Sequence, residues 1–165
     1  MIKRVYKEAV PALRFIGKKY GDSDRVEGNF GAKWGEWFQN GWFETLEKLY
    51  GGDLTQLHES GDAYIGLMRD DRGVFEYWIG IFLPTETPVP DGFGCVDFAA
   101  GELGVCWVYG KENEVYMREG ECGEKMKAKG YDIDGGWCFE RYACPRFTVP
   151  DEHGNIILDI CFYLR

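Results

Sequence analysis

At 165 residues, with 45% apolar and 28% charged side chains, the chain has the make-up of one globular domain or two small halves sharing a core, and not of a disordered segment. Its formal charge of -9, from 28 acidic against 19 basic residues, argues against nucleic acid and anionic membranes as partners. Six Trp, ten Tyr and eleven Phe exceed what a core of this size needs, so some are expected to line a pocket for a neutral or cationic aromatic ligand.

The first twenty residues carry scattered charges and Pro11 without a continuous apolar run, which predicts no signal peptide. No stretch approaches the roughly eighteen apolar residues of a membrane span. The six cysteines form no Cys-x-x-Cys pair and fall mostly in strand-like runs. Reduced, mostly buried thiols in a cytoplasmic protein are expected.

In chain order, weak alternation over residues 11–20 predicts a first strand, ending at Tyr20-Gly21-Asp22. Residues 31–50 switch to helical spacing, with Trp34, Trp37, Phe38, Thr45, Leu46 and Leu49 recurring at steps of three and four, and Gly51-Gly52 as the stop. Two strands follow at residues 63–68 and 74–83, joined by a turn at Asp70-Asp71-Arg72-Gly73. Pro84, Pro88 and Pro90 mark a linker.

The same order then recurs. Strands are expected at residues 93–98 and 103–110, a helix at about 112–129, and strands at 137–143 and 156–164. A faint internal likeness pairs Leu13–Gly21 with Leu103–Lys111, and Trp78-Ile-Gly-Ile-Phe-Leu83 with Asp159-Ile-Cys-Phe-Tyr-Leu164. Strand, helix, strand, strand, twice over, predicts an α+β fold: a single domain over 1–165 built of pseudo-repeats 1–85 and 91–165. Two main helices would cover antiparallel sheets about a pseudo-twofold axis, leaving a central groove for a small molecule.

Most common chemistries lack residues to carry them. The two histidines, His58 and His153, and the two serines, Ser23 and Ser60, lie in loop-like segments, and no Gly-x-Ser-x-Gly occurs. Neither glycine-rich nucleotide signature is present, and no acidic or Cys/His spacing suggests a metal, so no cofactor is expected.

One residue breaks its local pattern. In Cys138-Phe139-Glu140-Arg141-Tyr142, strand alternation puts Glu140 on one side with Cys138 and Tyr142, and Phe139 with Arg141 on the other. A carboxylate on a core-like strand must be paired, protonated or turned to a cavity, because desolvation penalises its ionised form. A structural ion pair with Lys18 or Arg165 is the plain alternative to a functional role.

Three stretches carry a family resemblance: Phe30-Gly-Ala-Lys-Trp-Gly-Glu-Trp-Phe38, Phe75-Glu-Tyr-Trp-Ile-Gly-Ile-Phe82, and Trp137-Cys-Phe-Glu-Arg-Tyr142 with Pro145 and the last strand. Together, and end to end, they resemble the GyrI-like small-molecule-binding family, which includes effector domains of multidrug-responsive transcription activators. The resemblance implies two βαββ (SH2-like) repeats and a central groove for aromatic, often cationic compounds. It places the family's recurring acidic ligand contact at Glu140. Some stand-alone members resemble hydrolases that open the cyclopropane ring of alkylating compounds, and an inhibitor of DNA gyrase type is a further analogy. With its first strand so early, the chain leaves no room for a DNA-binding helix-turn-helix, so direct nucleic acid binding is not expected; a protein partner remains open.

The candidate site residues follow. Glu140 is the contacting or proton-transferring acid, and Tyr142 shares its side of the strand. Glu76 and Trp78 share one side of the strand from Phe75. Trp34, Trp37 and Phe38 could wall a groove with indole and phenyl faces, although a stripe at helical spacing also suits a core. Trp107 is ambiguous, and Glu114 is the weakest candidate for a second catalytic acid among the glutamates around the second helix.

Overall fold

Apolar alternation does set most of the strands. The computed structural model, which describes residues 1–165, contains β1 (Ile2–Val10), β2 (Leu13–Tyr20), α1 (Gly31–Asn40), α2 (Trp42–Glu47), β3 (Ala63–Asp71) and β4 (Val74–Pro84) in its first half. The second half adds β5 (Gly94–Phe98), β6 (Gly101–Gly110), α3 (Glu119–Ala128), β7 (Ile133–Ala143) and β8 (Ile156–Leu164), with short 3-10 turns between elements. The fold is α+β with antiparallel pairing, and no helix is long and apolar enough to cross a membrane.

Three local features differ from the sequence reading. β1 precedes the strand expected to come first; its charged residues, Lys3, Arg4, Lys7 and Glu8, mask an edge strand that buries little. The helix expected over 31–50 is two helices, because Gly41 adopts a left-handed φ of 65° and ends α1 by donating its N–H to the Phe38 and Trp37 carbonyls. The second helix begins at Glu119, after Met117 has broken the chain direction with a φ of 61°. The β3–β4 turn forms as expected: Arg72 and Gly73 both take positive φ between the paired Asp71 and Val74, and Asp70 accepts the Gly73 N–H at 2.7 Å.

The chain forms two compact units, residues 12–99 and residues 1–11 with 100–165. In the first, the strand order is β3-β4-β2-β5, and α1 and α2 cover one face. Aromatic side chains seal that layer. Phe30 stacks on Tyr77 with centroids 4.4 Å apart, Phe43 stacks on Tyr64 at 3.6 Å, and Trp37 donates its indole N–H to Tyr20 at 3.0 Å. On the opposite face Gly17 and Gly80 sit side by side under the Phe15 ring, where a Cβ on Gly17 would come within 2.1 Å of the Ile79 carbonyl.

In the second unit β1-β6-β8-β7 form the sheet, and α3 lies across all four strands. Cys106, Val108, Leu158 and Ile160 of the sheet pack against Cys122 and Met126 of α3 and against Val115, forming one apolar core. β1 therefore joins the late strands and β5 joins the early ones, so the compact units cut the chain at other points than a simple halving.

Candidate ligand site

β7 is held to β8 by the register Cys138–Phe162, Phe139–Cys161, Glu140–Ile160 and Arg141–Asp159. Residues opposite one another share a face, so Glu140, Cys138 and Tyr142 lie on the side that carries Ile160 and Phe162, beneath α3 and the segment before it. Glu140 is only 6% exposed. Around it sit the Tyr116 hydroxyl, which donates to Glu112 at 3.2 Å, and the Cys138 thiol. Burial, then the carboxylates of Glu112 and Glu140, push the Tyr116 phenol well above its usual range. The Cys138 thiol is pushed up to about 12 by burial first, then by Glu119 and Glu140. Tyr142 crosses the Phe147 ring edge-on, with centroids 4.7 Å apart. A buried carboxylate near a phenol and a thiol can attract a cation, accept a hydrogen bond or exchange a proton.

On the other face of the same strands lies a charge cluster the sequence reading did not single out. Arg141, fully buried, clamps Glu8 with two hydrogen bonds at 2.9 and 3.0 Å and donates Nε–H to Asp159 at 2.8 Å. Arg146 reaches the same Asp159 carboxylate through Nε at 2.7 Å and through a second nitrogen. The signal was present as Asp159 within an apolar strand and Arg141 beside Glu140, two opposite charges at inward positions, but their pairing depends on register. Trp107 belongs to this cluster. Its ring carries the Arg4 guanidinium at 5.1 Å and that of Arg146 at 5.0 Å, and Tyr6 meets it edge-on at 5.9 Å.

The remaining candidates occupy varied places. Glu114 is exposed, and its carboxylate accepts the Lys111 backbone N–H at 2.9 Å, a capping contact. Glu76 is buried and pairs with Arg69 at 2.5 Å and Lys19 at 3.8 Å. Trp78, on the same face, crosses Phe15 edge-on at 6.1 Å, and its buried indole nitrogen has no hydrogen-bond partner. Trp34 donates to the Tyr77 hydroxyl at 3.0 Å, and Phe38 beside it is 62% exposed. Trp37 is fully buried among Trp42, Phe43 and Phe93. Lys18 donates to the Gly92 carbonyl at 2.7 Å and lies over the Trp42 and Phe93 rings, each centroid 4.4 Å away; Arg165 pairs with Asp132 at 2.8 Å.

No protein-family model matches the chain, and no curated protein matches it in sequence. Solved structures do share its fold. SAV2435 bound to tetraphenylphosphonium aligns over 99% of this chain and 94% of that one, with a TM-score of 0.70 and 15% identity. The C-terminal domain of EcmrR aligns over 98% and 97%, with a TM-score of 0.62 and 12% identity. A hydrolase from Listeria innocua aligns over 99% and 92%, with a TM-score of 0.55 and 12% identity. At such identities the likeness is one of fold, a fold shared by a protein bound to tetraphenylphosphonium and by a bacterial transcription regulation protein from Staphylococcus aureus.

Proposed function

We propose that the chain is a GyrI-like small-molecule-binding protein that captures hydrophobic aromatic or cationic compounds, with Glu140 as the residue that contacts the ligand. The observation that carries this reading is Glu140 itself: a carboxylate 6% exposed, on the face beneath α3, with a phenol and a thiol as neighbours. That SAV2435, with the same fold, was captured with an aromatic phosphonium supports a lipophilic cation as the ligand class. Recurrence of a strand, helical segment, strand and strand in each compact unit supports two copies of one βαββ motif. The buried cysteines 106, 122 and 161 suit a reducing, cytoplasmic setting.

A second reading has its own support. The Listeria innocua hydrolase shares the fold, and Glu112, Glu119 and Glu140 bring three carboxylates to the surroundings of Tyr116 and Cys138. In a cofactor-free hydrolysis the protonated Glu140 would give its proton to a strained ring as a C–C bond opens, water would add to the carbon released, and the added water's spare proton would return to the Glu140 carboxylate. Both readings are tested by titrating the protein with tetraphenylphosphonium while following Trp fluorescence, and by incubating it with a cyclopropane electrophile under mass spectrometry. Saturable quenching with an unchanged electrophile supports binding alone; gain of one water by the electrophile supports hydrolysis; neither response refutes both.

A further inference from the structure

We infer that the open edge of β1, with the C-terminal half of α3 beside it, is a docking surface for an acidic, extended peptide segment of a partner protein. β1 is the outermost strand of its sheet and pairs only with β6, through a register interrupted by a bulge between Ile2 and Arg4. Beside it runs an open crevice of about 300 Å³, lined by Ile2, Lys3, Arg4 and Val5 of the strand and by Lys125 and Lys129 from α3 and its end.

Charge makes this edge unlike the rest of the molecule. Lys3, Arg4, Lys7, Lys125 and Lys129 are all exposed, in a chain whose formal charge is -9. The ion pairs of this unit use other cations: Arg118, Lys127, Arg141, Arg146, His153 and Arg165. The five cations along this strand edge and helix end thus keep their charge uncompensated by a carboxylate, with Lys3 over the Tyr109 ring at 4.4 Å, Arg4 over Tyr6 at 4.0 Å and Lys7 over Tyr131 at 5.1 Å. Lys129 spends its ammonium on the edge itself, donating to the Val5 carbonyl at 2.8 Å. That carbonyl points away from β6 and is one an added strand would use. A docking segment would supply a backbone N–H to Val5 and free Lys129 to meet a carboxylate.

The same charges select the occupant. Two copies of β1 placed edge to edge would set Lys3, Arg4 and Lys7 against their own kind, which disfavours self-pairing. A nucleic acid duplex presents a phosphate about every 1.7 Å and would meet the whole acidic molecule. A short acidic strand needs only this edge. Main-chain bonds to β1 would supply affinity, and carboxylates at alternate positions would supply selectivity.

The surface is independent of Glu140 and is tested separately. The probe is a fluorescent eight-residue peptide alternating Glu and Val, with a Lys–Val peptide as the reversed control, each titrated into the full chain at low salt. The Glu–Val peptide is expected to bind, with affinity falling as salt rises, and to shift backbone amide resonances of Val5, Lys7 and Ala9. Lys125→Glu combined with Lys129→Glu, two exposed positions, should weaken it by about tenfold or more while leaving the circular dichroism unchanged. Equal binding of the Lys–Val peptide, resonance shifts confined to other strands, preference for a DNA duplex, or no effect of the charge reversal would each overturn the assignment.

Discussion

Glu140 and Arg141 are neighbours on β7, both buried, and they serve opposite faces of one sheet. Arg141 enters a charge cluster with Glu8 and Asp159, whereas Glu140 lies among Cys138, Tyr116 and the α3-covered core. Strand geometry enforces the separation, because consecutive side chains cannot share a side. The consequence is that substitutions one residue apart should have different outcomes.

Arg141→Leu would leave half-buried Glu8 and fully buried Asp159 with one cation fewer, and Arg146 would be the remaining partner of Asp159. Breaking a buried pair from one side typically costs about 3–5 kcal/mol. Urea denaturation should show a midpoint lowered by that amount at an unchanged slope. A loss under about 1 kcal/mol would mean that the cluster is not needed for the fold.

Gly17 has no room for a side chain. Its Cβ would meet the Ile79 carbonyl at 2.1 Å and the Phe15 ring at 2.9 Å, and the paired Gly80 is equally confined. Neither is a flexible side-chain end that could swing clear. Gly17→Ala is expected to cost about 2 kcal/mol or more, read as a fall in melting temperature, while Gly35→Ala on open helix surface should raise it slightly.

Alkaline pH should weaken the fold. The Cys138 thiol is pushed up to about 12, and burial also raises Cys161, Tyr163 and Tyr116. In the unfolded chain a thiol loses its proton near pH 8.5, roughly its ordinary value. Above that pH the unfolded state binds fewer protons than the folded one, so stability falls as pH rises. Below it the contribution is fully present. Urea midpoints at pH 7 and pH 10 check the sign; equal midpoints would contradict the burial of these groups. In the same range iodoacetamide should label exposed Cys95 and Cys144 well before Cys138.

Much of the fold could be read from local pattern. The local pattern located strands at residues 63–68 and 156–164, the first of which runs on to Asp71 in the structure, and the left-handed pair Arg72-Gly73 sits where the polar turn was expected. Helix extents were harder, since the breaks at Gly41 and Met117 rest on single backbone angles that composition does not encode. β1 was missed because an edge strand that buries little carries charge in place of an apolar stripe. For the site, alternation put Glu140 with Cys138 and Tyr142, and the register keeps them on one face. The place of Glu8 in the cluster with Arg141 and Asp159 was not legible, as it lies 133 positions from Arg141 and meets it through strand order alone.

The central claim is that Glu140 contacts a lipophilic cation. Isothermal titration of wild type and Glu140→Gln with tetraphenylphosphonium, beside the neutral triphenylphosphine oxide, tests it most directly. The account predicts that Glu140→Gln keeps a cooperative urea transition, weakens the phosphonium by about tenfold or more, and leaves the neutral ligand within about twofold, because only the cation gains from the carboxylate. Equal phosphonium affinity in the two proteins would contradict it.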